Sequence, residues 1–204
     1  MLKLLGKPTS INVRKVLWLA DELDLPLAHD AMDRPGDADA LRALNPNGLV
    51  PVLIDGEAVL WESNTICRYL AARQQRDDLL PAQPLARARV EQWMDWQATD
   101  LNSAWRYAFM ARVRHSLAHA DPAQIAASVA SWNRLMGVLD TQLSRTGAFV
   151  AGEAFTLADI VLGLSAHRWR MTPMDRPALP AVDAWLARLA TRPGYRAHVD
   201  NGNP

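Results

Sequence analysis

The sequence predicts a molecule in two parts, an α/β layer over residues 1–75 and an all-α half over residues 86–204, joined by a linker at 76–85. Three observations carry this division. Short β-like runs alternate with helical patterns as far as Arg73, the pattern of an α/β layer. From "QQRDDLLPAQPLARA" onward the β signals stop. Pro81 and Pro84 punctuate that polar stretch, as prolines do between separately packed units. The chain has 204 residues and is 50% hydrophobic, enough to bury a sizeable core.

"LKLL" opens the order as a strand. In "INVRKVLWLADELDLP" the residues Val13, Val16, Leu17, Ala20 and Leu23 recur at helical spacing, with Pro26 as the stop. "VPVLI" and "AVLW" flank Asp55-Gly56, a favoured two-residue hairpin turn, so these two strands should be antiparallel. The order to residue 75 is β, α, β, α, β, β, α. Beyond the linker, helical patterns run over residues 86–116, 121–145, 156–170 and 180–191. "EAFTLADIVL" starts one of them with an acidic capping box, Thr156 with Asp159, and a hydrophobic staple, Phe155 with Ile160.

Basic and acidic residues balance at 22 each, and the arginines are dispersed, so nothing draws the chain to nucleic acid or to acidic membranes. Cys67 is the single cysteine, which excludes an internal disulfide and a cysteine-rich metal site and fits a reducing compartment. Lying in a helix with Ile66 and Leu70, it reads as a buried, inert thiol. "MLKLLGKPTS" turns polar too early for a signal peptide, and no apolar run is long enough to span a bilayer, so a cytoplasmic protein is expected. His115 and His119 have the i, i+4 spacing of a metal pair, but no third ligand is evident and an exposed helix face is expected instead. No metal is expected.

Three segments can carry chemistry. "KPTSINVRKV" places Thr9 and Ser10 between the first strand and the first helix, where a hydroxyl can cap the helix or donate to an anion at its positive end. No base accompanies Ser10 and no G-x-S-x-G elbow is present, so a donor role outranks a nucleophilic one. "NPNGLVPVLIDG" sets Pro51, which has no N–H for a ladder, among β-formers. "LWESNTICRYL" opens a helix with Glu62 and Ser63; Ser63 reads as an N-cap, and Glu62 beside free N–H groups matches the two charges of an α-amino acid head group.

In this order and spacing the three segments, with "TLADI", resemble the soluble glutathione transferases over essentially the whole chain, most closely bacterial relatives of the serine-type phi and theta classes. The resemblance implies a thioredoxin-like first domain of βαβαββα order, a cis Val50–Pro51 bond, a homodimer, and glutathione as co-substrate. It implies that Ser10 holds the glutathione thiolate, with Thr9 as rival donor and Asn12 orienting the serine or the tripeptide. Val50 would pair with the cysteinyl residue as an added strand does, and Glu62 and Ser63 would take the γ-glutamyl group. Leu49 stands where many relatives have a glutamine, so that side-chain contact is missing. Arg34 is the candidate for the glycine carboxylate, with Arg42 as alternative. Lowering a thiol pKa by about two units takes about 2.7 kcal/mol, within reach of one charge-assisted hydroxyl bond of about 1.5–3 kcal/mol plus a helix terminus.

The implied reaction is conjugation of the thiolate to small hydrophobic electrophiles; isomerase, dehalogenase or peroxidase chemistry, or a non-catalytic docking module, would use the same fold. Trp93, Trp96, Asp100, Ser103, Tyr107 and Met110 form one helical stripe, and Met94, Leu101 and Trp105 another. One stripe should face the electrophile and one the core, which leaves Trp105, Tyr107 and Met110 as candidates for electrophile contact.

Overall fold

The structure is a computed structural model that describes all 204 residues, Met1–Pro204. Strand β1 (Leu2–Leu5) is followed by α1 (Ile11–Glu22), β2 (Ala28–Asp30), α2 (Asp37–Leu44), β3 (Val52–Asp55), β4 (Ala58–Trp61) and α3 (Ser63–Arg73). The sheet order is β2-β1-β3-β4. β1 runs parallel to β2 and antiparallel to β3, and β3 runs antiparallel to β4. Val50 and Pro51 lie just before β3, and the peptide bond between them is cis. The hairpin pairs Asp55 with Ala58, so its two turn residues are Gly56 and Glu57 rather than Asp55 and Gly56. Gly56 takes φ +61°, which suits a glycine at the first central position of the turn.

The second half is helical throughout: α4 (Pro84–Trp96), a π-helical turn (Gln97–Leu101), α5 (Asn102–Arg112), α6 (Pro122–Thr146), α7 (Leu157–Met171), α8 (Pro180–Leu189) and α9 (Pro193–His198). The long helix expected over 86–116 is therefore three pieces ending at Arg112, and α9 had no counterpart in the sequence reading. His115 and His119 lie beyond α5: His115 has φ +50°, and His119 closes a short 3-10 turn (Leu117–His119), bonds the Ser116 hydroxyl at 2.8 Å and packs edge-on against Tyr107.

One core spans both halves. Trp18 of α1 is fully buried together with Ile160 and Leu164 of α7 and Trp185 of α8. Gly194 lets α9 approach α1, since a Cβ there would stand 2.5 Å from the Trp18 ring. The start of α7 is pinned by Asp159, which is fully buried. Its carboxylate accepts from the Thr156 N–H at 2.9 Å, closing the capping box, and also from the Val150 N–H at 2.9 Å and Trp185 Nε1 at 2.9 Å. Burial raises its pKa to about 6 against the pull of these donors.

Candidate active site

The β1–α1 loop brings its backbone close to the Val50 segment. Gly6 has φ +140°, and a Cβ there would lie 2.6 Å from Val13 and 2.7 Å from Val50, so only glycine lets the two segments meet. Ser10 follows as the N-cap residue of α1, with extended backbone (φ −75°, ψ 124°). Its hydroxyl makes no capping bond and has no partner elsewhere in the chain, so the proton is free for a ligand. Thr9, one residue earlier, is exposed, whereas Ser10 and Asn12 are half-buried.

Asn12 lines a cleft of about 280 Å³ together with Ile11, Ala98, Asn102, Ser103, Trp105 and Arg106. This is the groove between the α/β layer and α5, and its wall is more polar than expected of a site for hydrophobic electrophiles. Trp105 is its large apolar surface, fixed by a bond from its Nε1 to Asn102 Oδ1 at 3.0 Å. Tyr107 is not brought to this cleft. It lines a separate groove with Ser128 and Arg134, and its hydroxyl accepts from the Asp121 N–H at 3.4 Å. Met110 is half-buried and lines neither groove.

Glu62, not Ser63, occupies the N-cap position of α3, and it does so at φ +70°, ψ 112°. Such a conformation costs a non-glycine residue of order 1–3 kcal/mol and collects at ligand-binding positions. The Glu62 side chain is exposed; Ser63 is 5% exposed and its hydroxyl has no partner in the chain. Asn64, next along, enters a buried polar network. Lys15 Nζ donates to Asn64 Oδ1 at 3.2 Å and to Gln97 Oε1 at 2.8 Å, and Gln97 Nε2 donates to Asn102 Oδ1 and Ser165 Oγ, each at 3.0 Å. Asn102 Oδ1 is also the acceptor of Trp105, so the opening of α3 and the cleft wall are joined through one chain of bonds. Burial without a carboxylate partner pushes Lys15 down to about 8. Nothing in the one-dimensional pattern separated this lysine from a solvated one.

On the other side of Val50, a cleft of about 400 Å³ is lined by Lys7, Met32, Arg34, Leu41, Leu49 and Val50, among others. Arg34 is there, but its guanidinium already holds Asp30 at 2.9 Å and Asp37 at 3.4 Å. These acids raise its pKa, Asp30 most strongly. Arg42 pairs with Asp39 at 3.0 Å and does not line the cleft. Lys7 makes no ion pair and is the cation the sequence reading passed over; its place in "GKPTS", directly before the hydroxyls, was the available signal. Cys67 is fully buried, and burial pushes its thiol up to about 12.

Residues 4–78 match the family model for the glutathione S-transferase N-terminal domain, and residues 122–188 match that for the glutathione S-transferase C-terminal domain. The chain is 38% identical to glutathione S-transferase GstB of Escherichia coli strain K12 over 98% of each protein. It is 32% identical to maleylacetoacetate isomerase of Rhizobium meliloti over 96% of this chain and 93% of that one. Among solved structures, the theta-class glutathione S-transferase of Xanthomonas axonopodis pv. citri with glutathione bound superposes with a TM-score of 0.87 at 39% identity, covering 97% of this chain and 96% of that one. The chain belongs to the glutathione S-transferase family.

Proposed function

We propose that this protein is a glutathione transferase in which the Ser10 hydroxyl donates to the glutathione sulfur and holds it as the thiolate that attacks a small electrophile. The observation that carries the reading is that the Ser10 hydroxyl, at the N-terminus of α1, makes no bond within the chain and sits two residues from Asn12 on the cleft wall. A thiolate there gains the hydroxyl bond and the positive end of the helix. The γ-glutamyl group lies at Glu62 and Ser63, the cysteinyl residue runs along Val50 with its N–H and C=O as partners, and the glycine end enters the cleft lined by Leu49, Lys7 and Arg34. The electrophile occupies the groove against Trp105, whose face suits a planar group, while Asn102 and Ser103 suit polar substituents. Tyr107 and Met110 play no part in this placement. The molecule works as a homodimer, as the family resemblance implies, in the cytoplasm, where its one cysteine stays reduced.

A second reading, glutathione-dependent isomerisation, is favoured by the polar lining of the cleft and by the 32% identity to an isomerase. It uses the same thiolate, and product analysis on an unsaturated carbonyl separates addition from isomerisation.

The test of Ser10 is a titration of thiolate absorbance in the glutathione complex. Ser10→Ala is expected to raise the midpoint by about one to two pH units, the equivalent of a lost bond of about 1.5–3 kcal/mol. Thr9→Ala is expected to leave it in place. A shift in Thr9→Ala alone would transfer the role to Thr9, and a shift in neither would leave the helix terminus or Asn12 to hold the charge.

A further inference from the structure

We propose that Lys15 is a positioning residue for the transfer reaction, a buried donor that fixes the glutathione head-group site and the Trp105 wall of the electrophile cleft in one arrangement, so that a change at either site is felt at the other. This rests on the transferase reading. Lys15 is 1% exposed, and it shares the interior with Asn64, Gln97 and Ser165, all buried. An ammonium without a carboxylate partner destabilises a packed interior, and a methionine would fill the same space without that cost. What the ammonium supplies and a methionine lacks is a direction for its neighbours' hydrogen bonds.

Lysine has three donors and no acceptor, so both amides beside it must turn their oxygens toward it: Asn64 Oδ1 at 3.2 Å and Gln97 Oε1 at 2.8 Å. Asn64 then gives its Nδ2 to the Met94 carbonyl at 2.8 Å. Gln97, with its oxygen so fixed, gives its Nε2 to Asn102 Oδ1 and to Ser165 Oγ, each at 3.0 Å, and the Ser165 hydroxyl donates onward to the Val161 carbonyl at 3.1 Å. Asn102 Oδ1 thereby faces the indole N–H of Trp105, which can only donate, at 3.0 Å. The polarity of each amide along this chain of bonds follows from the lysine. The π-helical turn supplies the geometry: its i→i+5 pattern brings Gln97 beside Asn102, residues that a regular α-helix would set about 140° apart around its axis.

The two ends of the network are the two sites. Asn64 directly follows Ser63 and the strained Glu62 at the opening of α3. Asn102 and Trp105 line the cleft, whereas Gln97 and Ser165 do not. The direct bond from Asn64 Nδ2 to Gln97 Oε1 is long, 3.4 Å, so the shorter link runs through the ammonium. A head group that pulls on the opening of α3 therefore pulls on Asn64, and Lys15 passes the change to Gln97, Asn102 and the indole.

The experiment reads the indole N–H signal of Trp105 by NMR in the full-length protein without glutathione. Asn64→Ala is expected to move this signal, although Asn64 lies outside the cleft, and to leave in place the signal of Trp185, which Asp159 holds. In the Lys15→Met background the same substitution is expected to cause no further movement of Trp105. A Trp105 signal unmoved by Asn64→Ala, or moved equally with and without Lys15, overturns the proposal. Should a thermal melt show Lys15→Met unfolded, Lys15→Gln takes its place: its amide accepts as well as donates and dictates no polarity, so the full Asn64→Ala effect persisting in it also overturns the proposal. Kinetics with glutathione and a chloronitrobenzene carry the link to the reaction. At saturating glutathione, Asn64→Ala is expected to raise KM for the chloronitrobenzene by about threefold or more in the wild type and by less than about 1.5-fold in Lys15→Met, the non-additivity of residues within one network. Equal changes in the two backgrounds, or none, overturn the positioning role. A wild type that neither binds glutathione in calorimetry nor turns over the chloronitrobenzene overturns the transferase reading instead, and the NMR result still decides whether Lys15 links the two sites.

Discussion

Ser10 and Lys7 differ in what the chain already asks of them. Both are free of intrachain side-chain bonds, whereas Arg34 is committed to two carboxylates, and Asp30 is held down to about 2 chiefly by the Lys3 and Met32 bonds and by Arg34. A cation already neutralised attracts a third carboxylate weakly, and a free one gains a new charge-assisted bond of about 1.5–3 kcal/mol. Lys7→Ala is therefore expected to weaken glutathione binding by about tenfold or more, and Arg34→Ala by less, both read by calorimetry. A larger loss in Arg34→Ala would return the glycine carboxylate to Arg34. The residue types of the site were legible because hydroxyls, a glutamate and a proline stood at set distances from element boundaries. Which of three nearby cations was free was not legible, because pairing depends on residues that the fold brings together.

Element boundaries carry two further tests. Asp159 closes the α7 cap and also serves Val150 and Trp185. Asp159→Ala strands those buried donors, each costing about 1–3 kcal/mol, so a loss of roughly 3 kcal/mol or more in chemical denaturation is expected. A loss below about 1 kcal/mol would show the cap alone at stake. The Thr156–Asp159 box was legible because it is local; the bonds to Val150 and Trp185 were not. Lys15 joins α1 to α3 and to the π-helical turn. Its pKa is about 8 in the fold and about 10.4 unfolded, so the unfolded chain binds that proton more tightly. The resulting cost is fully present below pH 8 and fades as pH rises toward 10.4. Measured as the difference from Lys15→Met, wild-type stability is expected to improve over pH 8 to 10 by a few kcal/mol; a flat difference would mean that Lys15 keeps its proton as readily in the fold.

At the scale of the molecule, the two halves share one core, from Leu4 of β1 and Trp18 of α1 to Trp132 of α6 and Trp185 of α8. α3 and α4 lie side by side, joined by Arg68, which pairs with Glu91 at 3.2 Å and with Asp95. Trp61, just before α3, and Leu85, in α4, are exposed. We propose these two helices as the interface of the dimer that the family resemblance implies. Sedimentation at micromolar concentration is expected to return twice the 22.6 kDa chain mass, and a monomer mass would count against the proposed dimer.

The sequence by itself determined the order βαβαββα, the helical second half, and the places where hydroxyls and a glutamate meet helix starts, because strand alternation, helical spacing and capping are properties of a few neighbouring residues. Tertiary structure decided which face of the second half meets the cleft. Periodicity specifies a stripe and not its direction, and the π-helical turn at Gln97–Leu101 adds a residue that rotates everything after it by about 100° relative to a regular helix. The stripe from Trp93 to Met110 is thereby broken, Trp105 turns to Asn12, and Tyr107 turns away toward Ser128. Tertiary structure also decided the fate of the cations. Lys15, Arg14 and Arg168 are ordinary charged positions along their helices, and they become buried only where α1, α3 and α7 close on one another, since burial is a property of the packed neighbours and not of the residue.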